Sequence, residues 1–262
     1  MPEDKGPARA VILAAGLGSR LRPLTNDLPK PLVRVNGVPI LQNTLAALSR
    51  SGIRQATLVV GYRKELIIDA FGDRFGQLEL SYVDSMDYAS TGSAHSLWLA
   101  RAALLQGDVV LIEGDVFFEP AVLRRLLAEP SGDVAAVAPF DEEMAGSAVT
   151  LSPSGMIDEI LLRQTAADSA PSRPLCKLLN IYRLSEASMK DQIVPALQRS
   201  AASGSSAAYV EEIISLLVRR EGLQIAACNC GDLKWYEIDD ASDLRRAEAI
   251  FSNQREAAEL RN

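Results

Sequence analysis

The nineteen residues from Leu13 to Pro31, LAAGLGSRLRPLTNDLPKP, are the densest set of groups in this chain able to handle phosphate. They follow the apolar run Ala10–Ala15 and open on Gly16-Leu17-Gly18-Ser19, where glycines let the backbone approach a ligand and leave amide N–H groups free for anions. Arg20, Arg22 and Lys30 against Asp27 give the stretch a formal charge of +2 inside a chain of net charge −7. Guanidinium forks grip phosphate oxygens in pairs and a lysine adds a mobile point charge, so a triphosphate suits this composition. Leu21 stands where a dinucleotide fingerprint needs its third glycine, and no Gly-Lys-Ser/Thr follows Gly16 or Gly18, so the Rossmann and P-loop motifs are both absent. A strand-to-helix turn with surface arginines is the plain alternative.

Transfer from a nucleoside triphosphate needs charge neutralisation and in-line positioning, which makes Mg²⁺ the expected cofactor. Asp115 in EGDVFF follows an apolar strand and suits a hard cation that keeps waters and phosphate oxygens, although a strand-end turn also favours aspartate. A second acidic segment is Trp235-Tyr236-Glu237-Ile238-Asp239-Asp240. If it is extended, Glu237 and Asp239 face one side by the period of two. Helix capping competes for these residues, and the expectation is that Asp240 or Ser242 caps while Asp239 binds metal. Thr91, Gly92 and Ser93 offer base and ribose contacts beside the backbone of Ala14, Ala15 and Gly16, or they form an ordinary loop and N-cap. His95, the only histidine, reads as a packing residue, because an ionised acceptor needs no general base. For an acceptor carrying an amine, Glu211 or Glu212 would pair with an ammonium, and Tyr209, Trp235 or Tyr236 would attract a quaternary one. Each of these also fits a core or surface role.

The pattern L-x-x-G-x-G-x-R-L-x-P-L-T with P-K-P after a short spacer resembles the nucleotidyltransferase signature. Over nearly the whole chain, the segments TGSAHSLWLAR, EGDVFF, NIYRLS and WYEIDD are similar to cytidylyltransferases of phosphocholine and of phosphonates such as 2-aminoethylphosphonate. The resemblance implies that Asp115, Glu237 and Asp239 ligate Mg²⁺ and that Arg20 and Lys30 hold the triphosphate as the catalytic cations. It also implies a nucleotide site that includes Gly18 and Ser19, and Lys177 as the contact to the acceptor phosphate, where a solvated edge lysine is the other reading. TGSAHSL departs from the asparagine- or serine-rich version usual in phosphocholine enzymes, which leaves the acceptor and the base open. The expected reaction is CMP transfer from CTP to a small phosphonate or phosphomonoester. The alternatives are a sugar-1-phosphate nucleotidylyltransferase and a silent nucleotide sensor on the same fold. Aromatic residues are 5% of the chain, and Phe140 alone falls between Gly132 and Leu175, which tilts the reading from choline toward an aminophosphonate.

These residues need a scaffold, and 262 residues at 48% hydrophobic content are enough for one α/β domain. Short apolar runs alternate with helix-like stretches, which predicts a Rossmann-like, mixed but mainly parallel sheet with helices on both faces. Strands are expected at Gln55–Val60, Leu78–Val83, Val109–Ile112, Val134–Ala138, Ala148–Leu151, Ile157–Leu162, Lys177–Tyr182 and Leu223–Cys228. Helices are expected at Lys64–Phe71, Ser93–Leu105, Ser185–Ser200, Tyr209–Glu221 and Ala241–Arg261. Residues 1–8 read as a polar tail, Gln164–Pro174 as a mobile loop, and 132–182 as an acceptor-side insertion or lobe within a single domain. Ligands of open α/β sheets gather at the carboxyl ends of strands, where Gly16, Gly92 and Asp115 would meet. An acidic pI near 4.9 argues against nucleic-acid and membrane-surface partners, and a homodimer remains open. Cys176, Cys228 and Cys230 form neither a disulfide framework nor a zinc site, so reduced thiols and a cytoplasmic setting are expected.

Overall fold

The computed structural model describes residues 9–141, 144–169, 174–203 and 207–252. The expected polar tail at 1–8, part of the 164–174 loop and the end of the helix expected to reach Arg261 lie outside them.

In chain order the strands are β1 (Arg9–Ala14), β2 (Arg34–Val35), β3 (Val38–Pro39), β4 (Gln55–Val60), β5 (Arg74–Phe75), β6 (Leu78–Asp84) and β7 (Val109–Glu113). Then come β8 (Val116–Phe118), β9 (Val134–Pro139), β10 (Ala145–Leu151), β11 (Ile157–Thr165), β12 (Cys176–Leu184), β13 (Ala226–Asn229) and β14 (Trp235–Glu237). The helices are α1 (Ile40–Arg50), α2 (Lys64–Phe71), α3 (Ser93–Leu99), α4 (Arg101–Leu104), α5 (Pro120–Ala128), α6 (Glu186–Ser188), α7 (Val194–Ala202), α8 (Val210–Arg220) and α9 (Ala241–Ile250).

One ten-stranded sheet runs β11-β10-β12-β7-β1-β4-β6-β5, with β9 pairing β12 and β13. Strands β7, β1, β4 and β6 are parallel, and β12 joins β7 antiparallel. The fold is therefore α/β with a mainly parallel centre. Residues 132–182 extend this same sheet through β9–β12. Alternation along β1 explains the two covered faces: Ala10, Ile12 and Ala14 pack with Leu41, Leu45 and Leu123, while Val11 and Leu13 pack with Leu97, Ile213 and Leu217.

Several local expectations change in detail. Ser93 does not cap α3: Gly92 precedes the helix, and Ser93 Oγ instead accepts the Val210 N–H at 2.9 Å, satisfying an orphan donor at the start of α8. The helix over 93–105 turns at Ala100. The one expected over 185–200 contains a π-turn at Met189–Ile193, next to Pro195, which has no N–H to continue the regular ladder. Strand β11 continues to Thr165, into the stretch expected to be a loop, and β13 starts only at Ala226.

Helix α9 begins with a reciprocal cap. Asp240 Oδ1 accepts the N–H groups of Ser242 and Asp243 at 2.6 and 3.0 Å, and Asp243 Oδ2 accepts those of Asp239 and Asp240 at 2.9 and 3.0 Å. This assigns the cap to Asp240 and frees the Asp239 side chain. Asp240→Ala is expected to cost about 1 kcal/mol of stability in urea denaturation; an unchanged midpoint would show that the cap does not hold this chain end.

Candidate active site

The loop after β1 is shaped by Gly18. Its φ is +60°, and a Cβ there would lie 2.9 Å from Lys30 Cβ, so only glycine lets the loop fold back onto Lys30. Thr25 Oγ1 donates to the Gly18 carbonyl at 2.7 Å, and the Tyr62 hydroxyl donates to the carbonyls of Thr25 and Asn26. At the neighbouring strand end, the Gly114 N–H donates to the Leu13 carbonyl at 2.9 Å, which sets Asp115 beside the loop.

A cleft of about 360 Å³ opens over these strand ends. It is lined by every residue expected to meet nucleotide: Ala14, Ala15, Gly16, Gly18, Ser19, Arg20, Thr91, Gly92 and Ser93. Lys30, Asp115 and Asp239 share its wall. A second cleft of about 300 Å³ is lined by Lys177, Trp235 and Glu237, and Arg20 and Asp239 belong to both clefts. The four acceptor-side candidates divide. Lys177 and Trp235 line the second cleft, Tyr209 lines the first, and Glu211, 7% exposed, lines neither.

Charge is packed tightly where the clefts meet. Lys30 Nζ donates to Asp115 Oδ2 at 2.9 Å and to Asp239 Oδ1 at 2.8 Å, and Arg20 Nη2 reaches the same Asp239 oxygen at 2.8 Å. Burial alone would lower the Lys30 pKa, but the Asp115 and Asp239 carboxylates outweigh it and hold the ammonium above its ordinary value. Burial would likewise raise Asp239, yet Lys30 and Arg20 hold it below the usual carboxylate range. Lys177 Nζ touches Glu237 Oε2 at 2.5 Å but makes no aligned hydrogen bond among the described residues. Burial pushes Glu237 up to about 7, against the opposing pull of Lys177.

One carboxylate missed as a site residue joins the cluster. Glu113 lines the first cleft, and burial followed by repulsion from Glu211, Asp115 and Glu237 drives its pKa well up. Its signal was the acidic residue directly before Gly114-Asp115. Glu211 is fixed through Oε1, which accepts from Ser147 Oγ at 2.9 Å and Asn180 Nδ2 at 3.4 Å. Asn180 is buried with φ +56°, and no local pattern announces that conformation.

The donor set fits a hard divalent cation. It consists of carboxylate oxygens, and Asp115 Oδ1 is buried without a hydrogen-bond partner. Among the described residues no three His, Cys, Asp or Glu side chains are preassembled around a common point, and Lys30 and Lys177 engage the carboxylates.

Residues 9–138 match the family model for the nucleotidyl transferases. The chain carries a nucleotidyl transferase domain. The CMP-5′-(3-aminopropyl)phosphonate synthase of Streptomyces rubellomurinus is 36% identical over 253 residues, 97% of this chain and 40% of its own length. The UTP–glucose-1-phosphate uridylyltransferase AglF of Haloferax volcanii is 40% identical over 110 residues, 42% of this chain and 44% of its own length. The chain thus spans less than half the length of either relative. In fold, the nucleotidyl transferase domain and the strands that extend it resemble the CTP:phosphocholine cytidylyltransferase LicC of Streptococcus pneumoniae. That likeness has a TM-score of 0.75 at 22% identity and covers 93% of this chain and 98% of LicC.

Replacing Lys30 by Met would leave Asp115 and Asp239 facing one another with the exposed Arg20 as the contacting counter-charge and Lys177 acting from farther off. Lys30→Met is expected to lower the unfolding free energy by about 3 kcal/mol at neutral pH, measured by chemical denaturation. A variant as stable as the parent would mean that the ammonium does not hold this cluster.

Proposed function

We propose that this chain transfers CMP from CTP to a small phosphonate or phosphomonoester, with release of pyrophosphate. The observation that carries the reading is Lys177. Its side chain is 2% exposed and lines the second cleft with the ammonium paired to Glu237, so a desolvated cation stands beside the phosphate loop where an anionic ligand would be met. The relative named for CMP transfer to an aminoalkylphosphonate aligns with 97% of this chain, whereas the sugar-phosphate uridylyltransferase aligns with 42%. That contrast favours the phosphonate class over sugar phosphates.

In this reading the triphosphate lies in the first cleft and the acceptor in the second, with Arg20 and Asp239 common to both. An acceptor oxygen attacks the α-phosphorus, a new P–O bond forms, and the bond to the β-phosphate breaks as pyrophosphate leaves in line. Arg20 neutralises the leaving pyrophosphate and Lys30 the α-phosphate. The acceptor oxygen is already ionised, so no side chain is needed to remove a proton. Asp115, Glu237 and Asp239 are the residues that would hold Mg²⁺, which would supply charge neutralisation for the transferring phosphoryl group. Lys177 holds the acceptor's phosphonate or phosphate. Trp235, with the Tyr236 ring stacked at 6.5 Å, offers an aromatic face to an alkylammonium tail. Tyr209 serves as a wall of the nucleotide cleft, and Glu211 acts on Lys177 from behind the cleft surface. The free cysteines suit a reducing, cytoplasmic setting, and no helix among the described residues is long and apolar enough to cross a membrane.

Pyrophosphate release measured across CTP, UTP, dTTP and GTP, each with 2-aminoethylphosphonate, 3-aminopropylphosphonate, phosphocholine and several sugar 1-phosphates, tests this function. CTP with an amine-bearing phosphonate or phosphomonoester is the expected pair. Turnover confined to sugar phosphates, or nucleotide binding without release for any acceptor, would overturn it. Asp115→Ala is expected to lower that turnover about 10²- to 10³-fold with circular dichroism unchanged, and normal turnover would remove Asp115 from the site.

A further inference from the structure

One wall of the second cleft is a residue without a side chain. Gly146 lies in β10 where its pairing with β11 shifts register, between Gly146 and Ala148, and its φ is +118°. A Cβ built on it would stand 2.6 Å from Lys177 Nζ, 3.8 Å from Lys177 Cε and 3.6 Å from Glu237 Oε2. Real Cβ contacts essentially never fall below 3.0 Å, so a side chain here and the present place of the ammonium exclude each other. The obstructing atom is the tip of a flexible side chain rather than backbone. At the clash itself the ammonium is what gives way, while the φ of +118° strains the backbone of any residue but glycine.

We infer that Gly146 is a positioning residue for the acceptor: by lacking a Cβ it fixes where the Lys177 ammonium meets the anionic group in the second cleft. The inference rests on the reading of that cleft as the acceptor site. Three features converge on the same point. The register shift puts a glycine-only φ at this place in β10. The next residue, Ser147, anchors Glu211 behind Lys177 at 2.9 Å. Facing it, β12 delivers Lys177 opposite Ala148. The ammonium is thereby confined between Gly146 and Glu237, and misplacing it by about 1 Å disturbs the approach of the acceptor oxygen. The first cleft, which Gly146 does not line, is left as it was.

The test is steady-state kinetics with CTP and 2-aminoethylphosphonate on Gly146→Ala, Lys177→Ala and the double variant. Gly146→Ala is expected to raise the acceptor KM about tenfold and to leave the CTP KM within about twofold. In acceptor KM the double variant is expected to be no worse than Lys177→Ala alone, because the clash vanishes with the lysine. Lys177→Arg presses a larger head against an unaltered Gly146 and is expected to show the same acceptor-specific rise, which covers the case of a poorly folded alanine variant. If Lys177→Ala raises the acceptor KM but Gly146→Ala and Lys177→Arg do not, or if the losses simply add, the positioning role falls. If Lys177→Ala leaves the acceptor KM unchanged, the acceptor-site reading fails and this inference fails with it.

Discussion

The structure turns on Lys30, whose ammonium ties Asp115, at the end of a central parallel strand, to Asp239, just before the last described helix. These residues are far apart in sequence, and the bond joins the phosphate loop, the middle of the sheet and the closing segment at one point. The contact also answers a charge problem. Glu113, Asp115, Glu211, Glu237 and Asp239 crowd the junction of the clefts, and Lys30 and Lys177 are the lysines engaged with them. Buried ion pairs seldom add to stability when compared with apolar packing, so an acid-rich junction of this kind is weak evidence of a device for folding. It is what a site looks like when its charge is completed by what it binds.

Topology explains why the junction forms here. The parallel strands β1 and β7 bring their carboxyl ends to one edge, as open α/β sheets do. Strand β12 then runs antiparallel beside β7, so its starting end, with Lys177, arrives at the same edge. The short ribbon of β8 and β14 sets Glu237 opposite Val116, next to Asp115. Two clefts result, sharing Arg20 and Asp239. A reaction that joins two anions needs that kind of shared wall, because each substrate's charge must be met without turning the other away.

The phosphate side could be read from sequence because it is local. Gly16, Gly18, Arg20 and Lys30 fall within one short stretch, and Gly18 follows a backbone path that few other residue types could take. The parallel core was legible for a similar reason, since the apolar run of β1 and the helix-like stretches that alternate with such runs are set over a few residues. Corrections fell where a tertiary partner changed a local preference. Ser93 gave its oxygen to the start of α8 rather than to its own helix. Pro195, by lacking a donor, turned an expected regular helix through a π-segment. Glu113 was visible as a residue, but only its burial beside Glu211 and Asp115 marks it as part of the cluster.

The acceptor side resists sequence reading because its parts are contributed by separate strands and fixed by irregularities. Lys177, Glu211, Trp235 and Glu237 sit on three different elements, and no spacing rule links them. Their mutual placement depends on the register shift at Gly146 and the left-handed backbone at Asn180, features that bend a strand to aim a side chain. Tyr209 and Glu211 show the consequence. Both stand at the start of α8 and looked alike as acceptor candidates, yet one borders the first cleft and the other is buried behind Lys177. The shape of the second cleft therefore rests on strand irregularities, while that of the first rests on the loop. Because Asp239 Oδ1 takes contacts from both Lys30 and Arg20, the two sides remain electrically joined. A change that shifts charge in the second cleft is felt by the cations that line the first.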